Sequence, residues 1–267
     1  MITTIDGALA GMQFPRDFVK ALTGTLVAGR AHSLFYLAGI PGAGVAPTPG
    51  IGGEVLTTLL GQIPFSNPVS GNSHLARLQG QATQAGTLLL LDRLWQNSGL
   101  DVTLTSEQVF TAAAQIPPRD ANGTNAGHGV YAAVEISGVV GAGTPTLTLK
   151  YTNQDGIADQ IGTNVIATVA ASIAGTFYMI GLAVGDTGIR LAQSLTLSAT
   201  WTSGTIHVIL YRILARLELT AGHIPNAIDA LTGGFVRLHN NTVPFLVFIP
   251  NTTTTSNISG QVIWSQG

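Results

Sequence analysis

No cysteine occurs in the 267 residues of the chain. That absence excludes disulfide frameworks, thiol nucleophiles and thiolate metal sites, and it fits assembly in a bacterial cytoplasm. Charge is almost as scarce, with 9% of residues Asp, Glu, Lys or Arg, against roughly 25% in an ordinary soluble domain. A chain of this size should expose roughly 11,000 Å² when folded, or about one charge per 450 Å². A surface so thinly charged is poorly solvated alone, which points to a membrane protein or to a subunit covered by neighbours. Only two lysines occur, Lys20 and Lys150, and the net charge is -2. The basic field that phosphate-backbone binding needs is missing, so nucleic acid is not an expected partner.

The chain has one uncharged stretch long enough to span a bilayer, Val165 to Val184. Thr168, Ser172, Gly175, Thr176 and Gly181 dilute it, and Asp159 and Asp186 lie where a cytoplasmic flank should carry Lys or Arg. It reads as two strands joined by a turn near Gly175, with no membrane partner. Met1 to Gly11 carries Asp6 and no basic residue, unlike an export signal.

The first fifty residues are rich in Gly and Pro and end in Gly39-Ile-Pro-Gly-Ala-Gly-Val-Ala-Pro-Thr-Pro-Gly50. Pro41, Pro47 and Pro49 stiffen a segment that glycine otherwise loosens, so residues 1–50 read as an extended N-terminal arm. A short helix is expected to start at Pro15 and end just before Gly24, with Phe14, Phe18 and Leu22 at four-residue spacing on one face. A second is expected from Pro225 to Leu231, closed by Gly233. The arm carries Phe14, Phe18, Leu34, Phe35 and Tyr36, which need a covering surface and are the candidate partner-docking residues. Its removal should then leave a folded core.

Residues 51–267 alternate with period two, the signature of strands. Strands are expected at His74 to Ala82, Thr87 to Trp95, Val130 to Ile136, Thr146 to Thr152, Val243 to Ile249 and Ile258 to Trp264, between Gly, Asn, Pro and Thr clusters. Leu195, Leu197, Ala199 and Trp201 share a face before Thr202-Ser-Gly204, and Ile206, Val208 and Leu210 follow it, which predicts a hairpin. Both faces of its second strand are apolar. The whole reads as an all-β protein, an antiparallel β-sandwich or jelly roll with an extended arm and one or two short helices. Asp92 and Arg93 interrupt an apolar strand and require partners, as a buried ion pair within the fold or across a subunit contact.

Chemistry-bearing motifs are lacking. The glutamates Glu54, Glu107, Glu135 and Glu218 are scattered, neither a nucleophile elbow nor a phosphate loop occurs, and the six histidines never take metal-ligand spacing. Asp120-Ala-Asn-Gly-Thr-Asn125 lacks the spaced acids of a calcium loop and reads as an Asx-turn. No catalytic, cofactor or metal site is expected.

Several phrases carry a likeness: Ala38-Gly-Ile-Pro-Gly42, Gln62-Ile-Pro-Phe-Ser-Asn-Pro68, His74-Leu-Ala-Arg-Leu78, Asp92-Arg-Leu-Trp-Gln-Asn-Ser-Gly99, Pro118-Arg-Asp-Ala-Asn-Gly123, Leu231-Thr-Gly-Gly234 and Ile258-Ser-Gly-Gln-Val262. In these the chain resembles a group of tailed-bacteriophage virion proteins over nearly its full length. The resemblance implies a non-enzymatic capsid decoration or cement protein on the capsid surface, assembled in the host cytoplasm. Its implied partners are the major capsid protein and copies of itself, as a homotrimer. A head-tail connector, a tail component and a receptor- or glycan-binding virion module are the alternatives.

Overall fold

The computed structural model describes residues 2, 4–48, 50–111, 115–234 and 236–267. The chain is all-β, with every strand pairing among the described residues antiparallel. Its centre is a ring of six strands: β2 (Ala31–Ser33), β6 (Gly86–Ser98), β8 (Val130–Gly138), β11 (Thr176–Met179), β13 (Thr205–Leu219) and β16 (Pro244–Pro250). The order β13-β8-β11-β2-β16-β6 closes because β13 also pairs with β6. The result is an antiparallel barrel with sheets packed on it, consistent with the all-β sandwich or jelly-roll class expected from sequence, and closure leaves the ring without edges. A seventh strand, β4 (Gly50–Val55), pairs with the end of β6 beyond the reach of β16.

Two further sheets cover the outside of the barrel. One contains β1 (Arg16–Leu22), β3 (Gly39–Ile40), β5 (Ser73–Ala82), β14 (Asn226–Asp229), β15 (Arg237–Leu238) and β17 (Ser256–Gln266), in the order β14-β5-β17-β1-β3 with β15 also on β5. The other is β10-β9-β12-β7, from β7 (Gln108–Val109), β9 (Leu147–Asn153), β10 (Gln160–Thr163) and β12 (Ile189–Leu197).

Alternation along the barrel strands produces three cores. Leu89, Leu91, Ala133, Ile209, Phe245 and Val247 fill the barrel. Leu88, Leu90, Leu217 and Phe248 point outward and meet Phe18, Leu78, Val262 and Trp264 of the six-stranded sheet. Val134, Val208 and Leu210 point outward further along and meet Leu149, Ala192 and Leu195 of the four-stranded sheet. Side chains of β13 that are apolar on both faces are thus buried on both faces.

Five sequence expectations are corrected. The helix expected from Pro15 is strand β1, because a four-residue spacing of Phe14, Phe18 and Leu22 satisfies period two as well as period 3.6. Residues 1–50 are not a separate arm. Strand β1 lies between β17 and β3, and β2 closes the barrel between β11 and β16. Lys20 is buried, and its ammonium group donates to the carbonyls of Leu37 at 2.7 Å and Pro41 at 2.6 Å, tying the Gly/Pro segment down. Pro49 and Met1 lie outside the described residues.

The expected hairpin around Gly204 does not form, since β12 pairs with β9 and β7 while β13 pairs with β8 and β6. Of the two strands expected within 165–184 only β11 is built. Before it, Thr168 Oγ1 donates to the Pro145 carbonyl and Ser172 Oγ to the Val169 carbonyl, satisfying backbone groups without a ladder. The second helix, α2 (Ala230–Gly233), starts later than expected because Asp229 caps it through Leu231 N and Thr232 N. The first helix in the chain is α1 (Ile5–Ala10), capped by Thr4, and residue Met12 then bridges Ser265. No helix among the described residues is long and apolar enough to cross a membrane.

Candidate functional site

The charges that interrupt β6 find partners inside the fold. Arg93 faces the barrel interior, and its Nη2 lies 2.5 Å from Glu135 Oε2 on β8, both side chains fully buried. His207 Nε2 on β13 is 2.7 Å from the same oxygen, and the Tyr36 hydroxyl is 3.3 Å away. With the imidazole proton on Nε2, the histidine, the tyrosine and the guanidinium all donate to Glu135, whose oxygen is the common acceptor of a cluster in which Nε2 also lies 2.8 Å from Arg93 Nη2 and 2.9 Å from the Tyr36 hydroxyl. The guanidinium also lies over the rings of Phe35 and Phe245, 5.0 and 5.4 Å from their centres. Burial alone would raise the Glu135 pKa, but the Arg93 charge and the bond from His207 overcome it and hold the group at about 2. Burial lowers the pKa of His207 and keeps it neutral.

Asp92, on the opposite face of β6, points out of the barrel. Its carboxylate accepts from Val243 N at 2.9 Å and lies 3.6 Å from Arg119 Nη2 and 3.7 Å from Arg212 Nη2. The nearby Asp120 accepts from the backbone of Asn122, Thr124, Gly127 and His128, the Asx-type turn expected from sequence. Among the described residues no group of three or more His, Asp or Glu is placed to hold a metal ion. The barrel network has matched charges and packed aromatic walls, which suits a fixed structural element.

These ionisations make stability depend on pH. Burial, aided by the charge of Arg30, drops the pKa of His32 on β2 from 6.5 to about 4. The unfolded chain therefore binds a proton before the native state does. The stability this contributes is complete above pH 6.5 and is lost as pH falls toward 4, by ~3 kcal/mol for His32. Glu135, depressed from 4.5 to about 2, adds a further loss below pH 4.5. The urea midpoint should fall steadily below pH 6.5, and His32→Leu should flatten the upper part of that fall. A midpoint constant from pH 7 to 4 would contradict this reading.

The candidate docking residues separate into two groups. Phe18, Leu34 and Phe35 are at most 2% exposed, inside cores of their own chain, so they are corrected to core residues. Tyr36 is half-buried at the barrel network. Phe14 alone remains available, 84% exposed. Elsewhere on the surface a groove of about 430 Å³ lies between α1 and α2, lined by Ile5, Leu9, Met12, Ala76 and Leu231. Helix α1 buries none of its residues. Sequence reasoning missed this groove because Ile5, Leu9 and Met12 form too short a run to show a period.

The surface elsewhere is as charge-poor as the composition implies. Eight of the 24 charged side chains are buried, leaving 16 for 10,954 Å². Amides and hydroxyls replace them, as on the outer face of the six-stranded sheet, where Gln79, Gln81, Asn257, Ser259 and Gln261 are exposed or half-buried.

No family model matches the chain, and no curated protein matches it. Among solved structures, it aligns with the VP2 subviral particle of infectious bursal disease virus at 8% identity, over 96% of this chain and 81% of that one, with a TM-score of 0.21. The Gx strain of the same virus aligns at 11% identity, over 96% and 80% of the two chains, with a TM-score of 0.19. Likenesses at this level are too weak to show a shared fold or role.

Proposed function

We propose that the protein is a structural subunit of a tailed-bacteriophage particle, a decoration or cement protein that packs against the major capsid protein and against copies of itself as a trimer. The observation that carries the reading is the combination of a charge-depleted surface with an apolar groove that its own chain leaves uncovered. Ile5 at 63%, Leu9 at 55% and Leu231 at 79% exposure form an apolar rim of the kind that soluble monomers keep small, and Phe14, at 84%, adds a further exposed aromatic ring. A second copy is the occupant we assign to the groove. With few charges on either side, two such surfaces meet without large desolvation costs, and aromatic and aliphatic anchors supply the contact. The resemblance of several sequence phrases to tailed-phage virion proteins gives the reading its setting. The packed, charge-matched barrel interior suits a load-carrying part better than a catalyst.

Sedimentation of the purified chain should give an oligomer at micromolar concentration. The double variant Leu9→Asp and Phe14→Ser should weaken self-association at least about tenfold. The melting temperature of the dissociated subunit should stay unchanged, since neither side chain is buried in its own fold. A soluble monomer at high micromolar concentration, or an oligomer indifferent to both substitutions, would remove the support for this reading.

A further inference from the structure

A second depression, of about 390 Å³, lies on a different part of the surface, where the Asn72 turn, the loop at 117–123 and the segment at 237–241 converge. Its lining contains Arg119 and Arg237 and not one carboxylate. Arg119 is 2% exposed, and only its Nη2 is engaged, on the Arg93 carbonyl at 3.1 Å and near Asp92. Among the described residues its Nε and Nη1 have no hydrogen-bond partner, nor do Ser73 Oγ and His239 Nε2, all on buried residues lining the same cleft. These four atoms are shielded behind the cleft wall, so the positive charge of Arg119 acts on the cleft from beneath while Arg237 and the asparagine side chains form its accessible face. The local field agrees in sign. Burial, then Arg212 and Arg237, lower the pKa of His239 to about 4, so the imidazole is neutral and the guanidinium groups set the charge.

We infer that this cleft binds a small hydroxylated ligand bearing an oxyanion, an acidic sugar unit, with the anion on Arg237, in the positive field of the buried Arg119, and the ring hydroxyls on the asparagine amides. Arg237 Nη2 is already oriented by a 2.8 Å bond to Asn72 Oδ1. Asn122, exposed at the rim, offers both a donor and an acceptor. The volume lies in the range of small-molecule sites, and the Arg237 guanidinium provides the bidentate recognition that a carboxylate or phosphate favours. This site is separate from the groove of α1 and α2, with which it shares no lining residue.

Calorimetric titration of the full chain with glucuronate, glucose 6-phosphate, glucose and inorganic phosphate tests it. Saturable binding of either anionic sugar is expected, the tighter one identifying the anion, with glucose at least about tenfold weaker. Arg237→Gln should weaken that binding about tenfold without moving the melt, since Arg237 is exposed. Four results would each overturn the inference: no binding of either anionic sugar, glucose binding equally well, phosphate alone matching glucose 6-phosphate, or indifference to Arg237→Gln.

Discussion

Deleting residues 1–50 is expected to abolish folding. The deletion removes β2, which holds β11 on one side and β16 on the other through His32 and Ser33, so the barrel opens. It also removes β1, whose seven residues pair with β17 from Arg16 opposite Val262 to Leu22 opposite Ser256. Five large apolar side chains leave with it, Phe18, Leu22, Leu26, Leu34 and Phe35, each at most 2% exposed. At roughly 1.5–3 kcal/mol apiece their loss alone approaches or exceeds the ~5–15 kcal/mol by which a domain is stable. Residues 51–267 should show no cooperative melt and no near-ultraviolet circular dichroism. Deleting only residues 2–10, which removes α1, should leave the melt intact. A cooperative, β-rich 51–267 fragment would show that the barrel closes without β2.

Replacing Glu135 is expected to be the most damaging conservative point change. Glu135→Gln leaves the Arg93 guanidinium buried and without its counter-charge, a situation that costs roughly 3–5 kcal/mol. The rings of Phe35 and Phe245 offset only a part of this, since such contacts contribute about 1–2 kcal/mol. Replacing both partners, Arg93→Met with Glu135→Leu, removes the unpaired charge along with its partner. It should recover most of the loss. Urea denaturation of the two variants distinguishes the outcomes. A loss below about 1 kcal/mol for Glu135→Gln would mean that water reaches the pair.

Much of the strand content was legible because amphipathic or doubly buried strands write their period locally. Strands β5, β6, β8, β9, β16 and β17 fall within a few residues of the expected spans. The failures share a physical cause, which is that the deciding contacts are remote in sequence. The three residues of β2 are too few to show any period, and their place is fixed by β11 and β16. The need of Asp92 and Arg93 for partners was readable from their apolar neighbours. Which partners answer it depends on β8, β13 and the loop of Arg119 meeting in space. The acidic-ligand cleft was invisible for the same reason, with Ser73, Arg119 and His239 on three separate segments. Of the five docking residues, Phe14 is exposed while Phe18, Leu34 and Phe35 are buried in cores built by strands remote in sequence.

The pairing of β1 with β17 determines how the molecule bears force. The bridge from Met12 to Ser265 and the pair Arg16 and Val262 stand at the same end of one antiparallel ladder. Tension applied between residues 12 and 265 would part that ladder one hydrogen bond at a time, as a zipper opens, instead of shearing all its bonds together. A tether attached at these two points would yield at low force even though the barrel behind it is closed. Any lasting mechanical load must enter through the sides of the sheets, where many bonds resist in parallel.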